Sequence, residues 1–514
     1  MVCQASVSQL NGPAPAGTPQ PAPMLTLLES LQSTLVNQPL LHLQEQQVEI
    51  SRSLKQQTTG QFDLALAGGF SQAHTNTPLT VAERALVIAE GFSPTTNSAQ
   101  NLSILNLGVT KEYRNGIVIS PLYETARTTD NLTTSEGTNV SRLAFQVTVP
   151  LLRGRGRDVV AARETAAGVE VTASLLDFNQ TISDLFASTA STYWNAVAAG
   201  KQVEVAKGAE ERGRTYVDNV QTLIQADRLA KAEINQAAAN LDARTAERIT
   251  AEQTLVQAQQ QLALAIGMNE SQLANANFSF EDFPDPASLK LFIVDSDTMS
   301  KYLQQALTSR ADYLAAQRRV EEARVLRVAA QNGLKPRLDF NFDTGVSGLS
   351  EGTAAAQFLN SPYRSVQGLD ATAGVTYNFP VRNNFATGQL RQAQANFIQA
   401  QLRLADLSRH VSSSVITALN AVRNTAAAVA QAREAVKSFQ AALQGEREKF
   451  SLGSSSVVDV LTIEDRLTTA LTNQVSAELA YALALAQLRS ATGTIVEPDK
   501  PVQSVNRDVF VNLP

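Results

Sequence analysis

The sequence predicts a mainly α-helical chain that carries a small membrane-type β portion, arranged as two copies of one plan in which strands feed long helical hairpins. Three observations predict it. First, residues recur every seven positions over a long stretch. Leu390, Phe397, Leu404, Val411, Ala418, Thr425, Ala432 and Phe439 make one row, and Ala393, Ala400, Leu407, Ser414, Ala421, Ala428, Ala435 and Ala442 a companion row. That is the pattern of a coiled-coil seam whose small residues admit close helix approach. Second, four short stretches alternate apolar and polar residues with a period of two, as strands do. Third, the order helix, strand, loop, strand, proline, long helical hairpin occurs twice, with Pro150 and Pro380 in equivalent places, the mark of an internal duplication.

Composition agrees with long helices rather than several globular cores, because Trp occurs once in 514 residues while Ala, Gln and Leu dominate. The net charge of −6 without a basic block gives no sign of a nucleic-acid partner. Cys3 is the single cysteine, so an internal disulfide and a CxxC site are excluded. His42, His74 and His410 share no metal-ligand spacing, and no nucleophile-elbow or phosphate-loop pattern occurs. No catalysis, metal or cofactor is therefore expected. The run Arg153-Gly154-Arg155-Gly156-Arg157 reads as glycines for a tight bend with arginines near a membrane interface, rather than as a nucleic-acid tract.

In chain order, residues 1–23 read as a disordered Pro-rich leader. Its Met1 end lacks a basic region and an apolar core of the signal-peptide kind. Cys3 ahead of the Pro-rich Gly12 to Pro23 would suit a lipid anchor and tether, although no lipobox precedes it. A first repeat, 24–283, opens with a helix from Leu25 to Gln57 interrupted at Pro39. A strand follows through Phe62, Leu64 and Leu66. Residues 71–139 are polar and turn-rich, with one inner hairpin around Asn115-Gly116, and are expected as a long loop at the outer face. A strand with Leu143, Phe145, Val147 and Val149 on one face stops at Pro150, and a helical hairpin over 153–267 reverses near Gln225 to Arg228. The connector Asn277 to Pro286 marks the middle. The second repeat, 284–497, has a helix from Tyr302 to Gln331, strands at 337–344 and 369–379, and a hairpin over 385–492 that turns at Gly453; residues 498–514 form a tail.

Four alternating strands of roughly ten residues suit a tilted membrane-spanning strand, yet the smallest outer-membrane barrels have about eight. An unpaired sheet edge in lipid costs several kcal/mol per exposed backbone group. The chain must therefore oligomerise if these strands span a bilayer. Asp339, Asn341, Asp343, Asp370, Thr372 and Asn378 would then face a watery lumen, and Phe340, Phe342, Val375, Tyr377 and Phe379 the lipid. Helices of about sixty residues would project roughly 90 Å from such a barrel. No run of about eighteen apolar residues offers a transmembrane helix instead.

These features together resemble the TolC family of outer-membrane efflux proteins. The resemblance covers about Leu25 to Pro498. It is carried by Leu25-Thr26-Leu27 with Asn37-Gln38-Pro39, by the junction Pro150-Leu151-Leu152-Arg153-Gly154-Arg155-Gly156, by Asn378-Phe379-Pro380, and most specifically by Phe450-Ser451-Leu452-Gly453 followed by Val457-Val458-Asp459-Val460-Leu461. It implies a homotrimer with a twelve-stranded β-barrel continuous with a periplasmic α-helical barrel, seated in outer-membrane lipid and entered at the helical tips. It also implies docking to a periplasmic adaptor (membrane fusion) protein and an inner-membrane RND or ABC pump, for efflux or type I secretion.

Asp459 matches an aspartate that lines the entrance in this family, and three copies would form a carboxylate ring favouring cations. Thr462 stands where a second acidic tier can occur. Phe450 stands where a Tyr helps to close the tip, and Ser455 where an Arg can supply an inter-protomer salt bridge, so the closed-state latch is expected to differ. Ala226, Asp227, Arg228 and Leu229, with Leu452, Gly453 and Ser454, are the candidates for adaptor contact. Pro150, Gly154, Gly156 and Pro380 mark the strand-to-helix junctions. The alternatives are a soluble coiled-coil scaffold, and a periplasmic adaptor, which would carry one helical hairpin rather than two.

Overall fold

The computed structural model of the chain describes residues 25–132, 136–269, 272, 278–286, 295–366, 368–496 and 508–513. Cys3 and the leader lie outside them. Helix starts are encoded locally: the Thr26 hydroxyl accepts from the Glu29 N–H at 3.2 Å while the Glu29 carboxylate accepts from the Thr26 N–H at 2.9 Å, a reciprocal capping box. The elements run α1 (Leu27–Asn37), α2 (Pro39–Thr59), β1 (Leu64–Pro78), α3 (Val81–Ala89), β2 (Asn97–Glu112), β3 (Val118–Asp130), β4 (Thr138–Pro150), α4 (Arg157–Val160), α5 (Ala162–Gln225) and α6 (Glu233–Ala265). They continue with α7 (Ser296–Ser309), α8 (Ala311–Asn332), β5 (Arg337–Glu351), α9 (Ala355–Asn360), β6 (Asp370–Asn378), α10 (Asn384–Ser451), α11 (Val457–Thr492) and α12 (Asp508–Val511). No helix among the described residues is long and apolar enough to cross a membrane. Contacts divide the chain into two units that cut across the two halves of the sequence.

One unit is drawn from Leu43–Phe178 and Ala311–His410 and holds the sheet. Its strands lie in the order β1-β2-β3-β4-β5-β6, every neighbouring pair antiparallel. This corrects the expectation of four strands per chain. The stretch read as an outer loop, 71–139, supplies the end of β1, all of β2 and β3, and the start of β4. The sign was masked because β2 carries Leu102 and Ile104 on one face and Leu105, Leu107 and Val109 on the other, which blurs the period of two. The β2–β3 ladder lapses only where Val109 and Thr110 lie opposite Ser120 and Pro121, since Pro121 has no N–H to donate.

Register sorts the side chains into two faces. Phe342, Val147, Ile119, Lys111 and Leu64 share one row, and Val346, Leu143, Tyr123, Leu107 and Gly68 another on the same face. The opposite face carries Asn106, Glu124, Arg142 and Ser347 in one row and Thr148, Asn341 and Gly374 in another. Polar bonds tie that second face together: Thr148 donates to Asn341 at 3.0 Å, Asn341 donates to Thr376 at 2.8 Å, and Arg142 pairs with Asp343.

The junction residues Gly154 and Gly156 take φ of +79° and +96°, the left-handed region that glycine enters without a Cβ penalty. Pro150 ends β4, whereas Pro380 lies just beyond β6, which stops at Asn378. The β2–β3 turn packs into the same junction. The Gly156 N–H donates to the Asn115 carbonyl at 3.1 Å, and Arg114 holds Glu164 through two bonds of 2.7 and 2.6 Å. The Arg114 guanidinium, which also lies 4.8 Å over the Phe62 ring, keeps the Glu164 carboxyl below the usual carboxylate range.

Beside α5, the Arg319 guanidinium of α8 pairs with Asp177 and, at 3.2 Å, with Glu170. Burial, with Glu170 close by, pushes Glu322 from 4.5 up to about 7. A carboxyl whose folded pKa is raised binds its proton more tightly in the folded state, so this contribution to stability is full below 4.5 and is lost as pH rises through about 7. Glu322→Gln is accordingly expected to raise the thermal midpoint at pH 8 and to flatten its dependence between pH 5 and 8 by comparison with the parent, read by calorimetry of the detergent-extracted protein. An unchanged pH profile would remove Glu322 from this role.

The other unit is drawn from the described residues of Met1–His42, Asn179–Arg310 and Val411–Pro514. In α10 the buried row is Val415, Val422, Val429, Val436 and Leu443, beside Val411, Ala418 and Leu419. The companion row expected from sequence is only partly covered: Ala393, Ala400, Leu407, Ala421 and Ala435 are half-buried, whereas Ser414, Ala428 and Ala442 are exposed. Burying Val removes more apolar surface from water than burying Ala, so the Val row wins the seam. The expected helix from Tyr302 to Gln331 is also two helices, broken at Arg310. Arg310 adopts φ −71° and ψ 119°, and a Cβ on Gly493 would lie 2.8 Å from the Arg310 backbone nitrogen. Close approach of these two backbones, rather than a Pro or Gly, sets the break.

Candidate functional site

The candidate entrance is formed by the ends of α5, α6, α10 and α11, all within the second unit. Its apolar anchor gathers Tyr216, Val220, Ala237, Val436, Leu443, Val457, Val460, Leu461, Leu467 and Ala470. Phe450 packs on this cluster, its ring 5.7 Å from that of Tyr216. The Tyr216 hydroxyl donates to the Val457 carbonyl at 3.4 Å, and burial pushes its pKa up, so it stays protonated. Phe450 thus fastens α10 to α5 and α11 through apolar contact, a role that needs no hydroxyl.

Asp459 lies in the first turn of α11 and is exposed. Its Oδ2 accepts from the Ser456 hydroxyl at 2.6 Å and the Ser456 N–H at 3.1 Å, while its own N–H donates to Ser456 Oγ at 3.2 Å. These bonds hold its carboxyl below the ordinary carboxylate range, so it stays charged at neutral pH. Thr462, one turn on, is exposed and returns its hydroxyl to the Val458 carbonyl at 2.8 Å. Ser455 donates to Glu446 at 2.5 Å within its own protomer.

The two turns differ in character. Asp227 enters the left-handed region at φ +53°, which short polar side chains tolerate, and the Arg228 N–H closes back on the Leu223 carbonyl at 2.9 Å. Ala226, Asp227 and Arg228 are exposed, but Leu229 packs on the apolar anchor. In the second turn Gly453 takes φ +75°, Ser454 donates to the Lys449 carbonyl through both its N–H, at 3.0 Å, and its hydroxyl, at 3.1 Å, and Leu452 is 82% exposed. Leu452 is therefore the most exposed apolar side chain of the tip among the described residues, with Val458 exposed beside it.

Sequence reasoning missed the ionic lock just behind these turns. Glu464 of α11, 8% exposed, accepts from Arg212 of α5 at 2.9 Å and pairs with Arg447 of α10. Arg212 also donates to Thr468 at 3.2 Å. Arg244 of α6 pairs with Asp465 of α11, and Arg248 of α6 pairs with Glu210 of α5 at 2.6 Å. Charge thus ties each of the four helices to another.

Residues 302–494 match the family profile described as "Outer membrane efflux protein". Outer membrane protein TolC of Escherichia coli (strain K12) is 24% identical over 363 residues, 70% of this chain and 71% of that protein. In sequence the chain is similar to the TolC family of outer-membrane efflux proteins, and the family profile matches its second half. Like its relatives, the chain resides in the bacterial outer membrane. Pyoverdine export outer membrane protein OpmQ of Pseudomonas putida is also 24% identical, over 67% of this chain and 68% of its own length. The fold matches that of the Campylobacter jejuni CmeC outer membrane channel with a TM-score of 0.64 at 15% identity, covering 92% of this chain and 86% of CmeC. These relatives are channels rather than enzymes, and they do not favour the soluble scaffold.

Proposed function

We propose that the chain is a passive exit duct, a homotrimer gated at its periplasmic helical tips, which works with a periplasmic adaptor and an inner-membrane RND or ABC pump in efflux or type I secretion. The observation that carries this reading is the sheet with one apolar and one polar face, a wall suited to separating lipid from water. Leu107, Leu143, Phe145, Phe340 and Val375 are exposed on its apolar face. The ionic lock of Arg212, Glu464 and Arg447 supports gating at the tips, and exposed Leu452 with Ala226, Asp227 and Arg228 supports an adaptor contact there. The strand and helix order of the two halves supports a duplicated plan.

The test is fractionation followed by chemical cross-linking of the extracted protein, where an outer-membrane trimer supports the duct and a water-soluble monomer sinks it. For Asp459, the charge is separable from the cap. Asp459→Asn keeps a capping oxygen and removes a charge worth about 1 kcal/mol to a cation at about 4 Å in water. Cation preference in single-channel recordings is expected to fall several-fold. Unchanged reversal potentials would place Asp459 away from the aqueous path.

A further inference from the structure

Six strands are too few to close on themselves, and β1 and β6 stand at opposite ends of the strand order. Every residue of β1 and of β6 is exposed. Each edge presents a row of backbone donors and acceptors that a bilayer cannot satisfy. A second copy of this chain is the occupant that fits. Strand direction alternates from β1 through β6, so β6 of one copy meets β1 of the next antiparallel, continuing the pattern without a break.

The extra hairpin belongs to the wall. Its apolar side chains, Leu105, Leu107 and Val109 in β2 with Ile119 and Tyr123 in β3, stand in register with Leu143, Phe145 and Val147 of β4 and on the same face. Its polar side chains Asn106, Ser120 and Glu124 stand with Arg142 and Gln146 on the other. The row Leu64, Lys111, Ile119, Val147, Phe342 and Ala373 crosses all six strands on this face, whereas Leu102, Ile104, Val118 and Leu122 of the hairpin stand on the opposite one. At the helix end the hairpin turn is fastened into the junction by Arg114 on Glu164 and Gly156 on Asn115. Lys111, on the apolar face near that end, turns its ammonium back to the Phe62 carbonyl, as cationic side chains do at a membrane border.

We propose that β6 of each copy pairs with β1 of its neighbour and that the trimer closes as a barrel of eighteen strands, three times six, where the family resemblance implies twelve. Barrel diameter grows roughly linearly with strand number, so the lumen is about half as wide again as a twelve-stranded one. The count rests on the trimer proposed above; the pairing stands without it.

The test uses the full chain carrying Cys3→Ser, with one cysteine in β6, Thr376→Cys, combined in turn with Ala65→Cys, Ala67→Cys or Gly69→Cys in β1. One register is expected to give an oxidation-dependent product at three chain masses, about 165 kDa from 55.1 kDa each. A ladder stopping at two copies overturns the trimer and the count of eighteen while upholding the pairing. No disulfide product in any register, with amine cross-linkers still trapping a trimer, overturns the pairing. Membership of the hairpin is read separately. A bimane label on Leu107→Cys is expected to be quenched several-fold by brominated lipid, and Asn106→Cys to react with a membrane-impermeant maleimide without such quenching. An unquenched label at 107 in an intact trimer overturns the count of eighteen and restores twelve.

Discussion

Glu464→Ala is expected to weaken the helical tips by about 2–4 kcal/mol and to raise the resting current through the reconstituted channel. The carboxylate side chain is 11% exposed and serves two guanidiniums, those of Arg212 and Arg447, whose own side chains are 24% and 44% exposed. Removing one partner of a buried pair costs about 3–5 kcal/mol, because the remaining charge keeps its desolvation penalty without its counter-charge. Here two like charges are left facing each other, while water at Arg447 screens part of the loss, so the lower range is expected. The consequence is mechanical, since Glu464 joins α11 to both α5 and α10. A thermal midpoint and a resting conductance equal to the parent's would show that the lock holds nothing shut. Arg447→Ala, which leaves the Arg212 pair in place, is expected to have the smaller effect of the two.

Gly116→Val is expected to abolish the assembled outer-membrane form. Gly116 sits at φ +93°, where a branched residue is strained by about 1–2 kcal/mol. A Cβ there would also lie 2.2 Å from the Gly154 carbonyl oxygen and 2.8 Å from the Pro150 ring. Neither neighbour can yield cheaply, because Gly154 is itself left-handed and Pro150 closes β4. Gly116→Asn separates the two causes: asparagine tolerates positive φ but carries the same Cβ, so it too is expected to fail. Trimer yield from membranes, measured by cross-linking, is the readout. A normal yield for Gly116→Asn would mean that the turn moves freely against the junction.

Much of this architecture was legible in the residues because it rests on local chemistry. The Thr26 and Ser456 capping boxes, the break ahead of Pro39 and the Asn115-Gly116 turn each follow from side chains within a few positions. What escaped depends on partners far apart in sequence. Arg212 and Glu464 are 252 positions apart, and no periodicity announces such a pair. The break at Arg310 answers to the backbone of Gly493. β1 runs on through Ser71 to Pro78 with polar residues on both faces, which read as loop because no alternation marks them, and only the ladder to β2 makes them strand. The Val row of α10 was visible, yet choosing it over the Ala row required weighing side-chain area rather than counting sevens. At the tips, Asp459 and Phe450 were singled out from sequence, whereas their ties to Ser456 and Tyr216 emerged from the fold.

The bare edges of β1 and β6 bear on how the protein is made. A newly translocated chain with fifteen residues of open strand on one side and nine on the other is sticky toward any extended peptide, including misaligned copies of itself. In the proposed trimer a lone chain would leave both edges unsatisfied in a bilayer, so insertion is expected to be coupled to association.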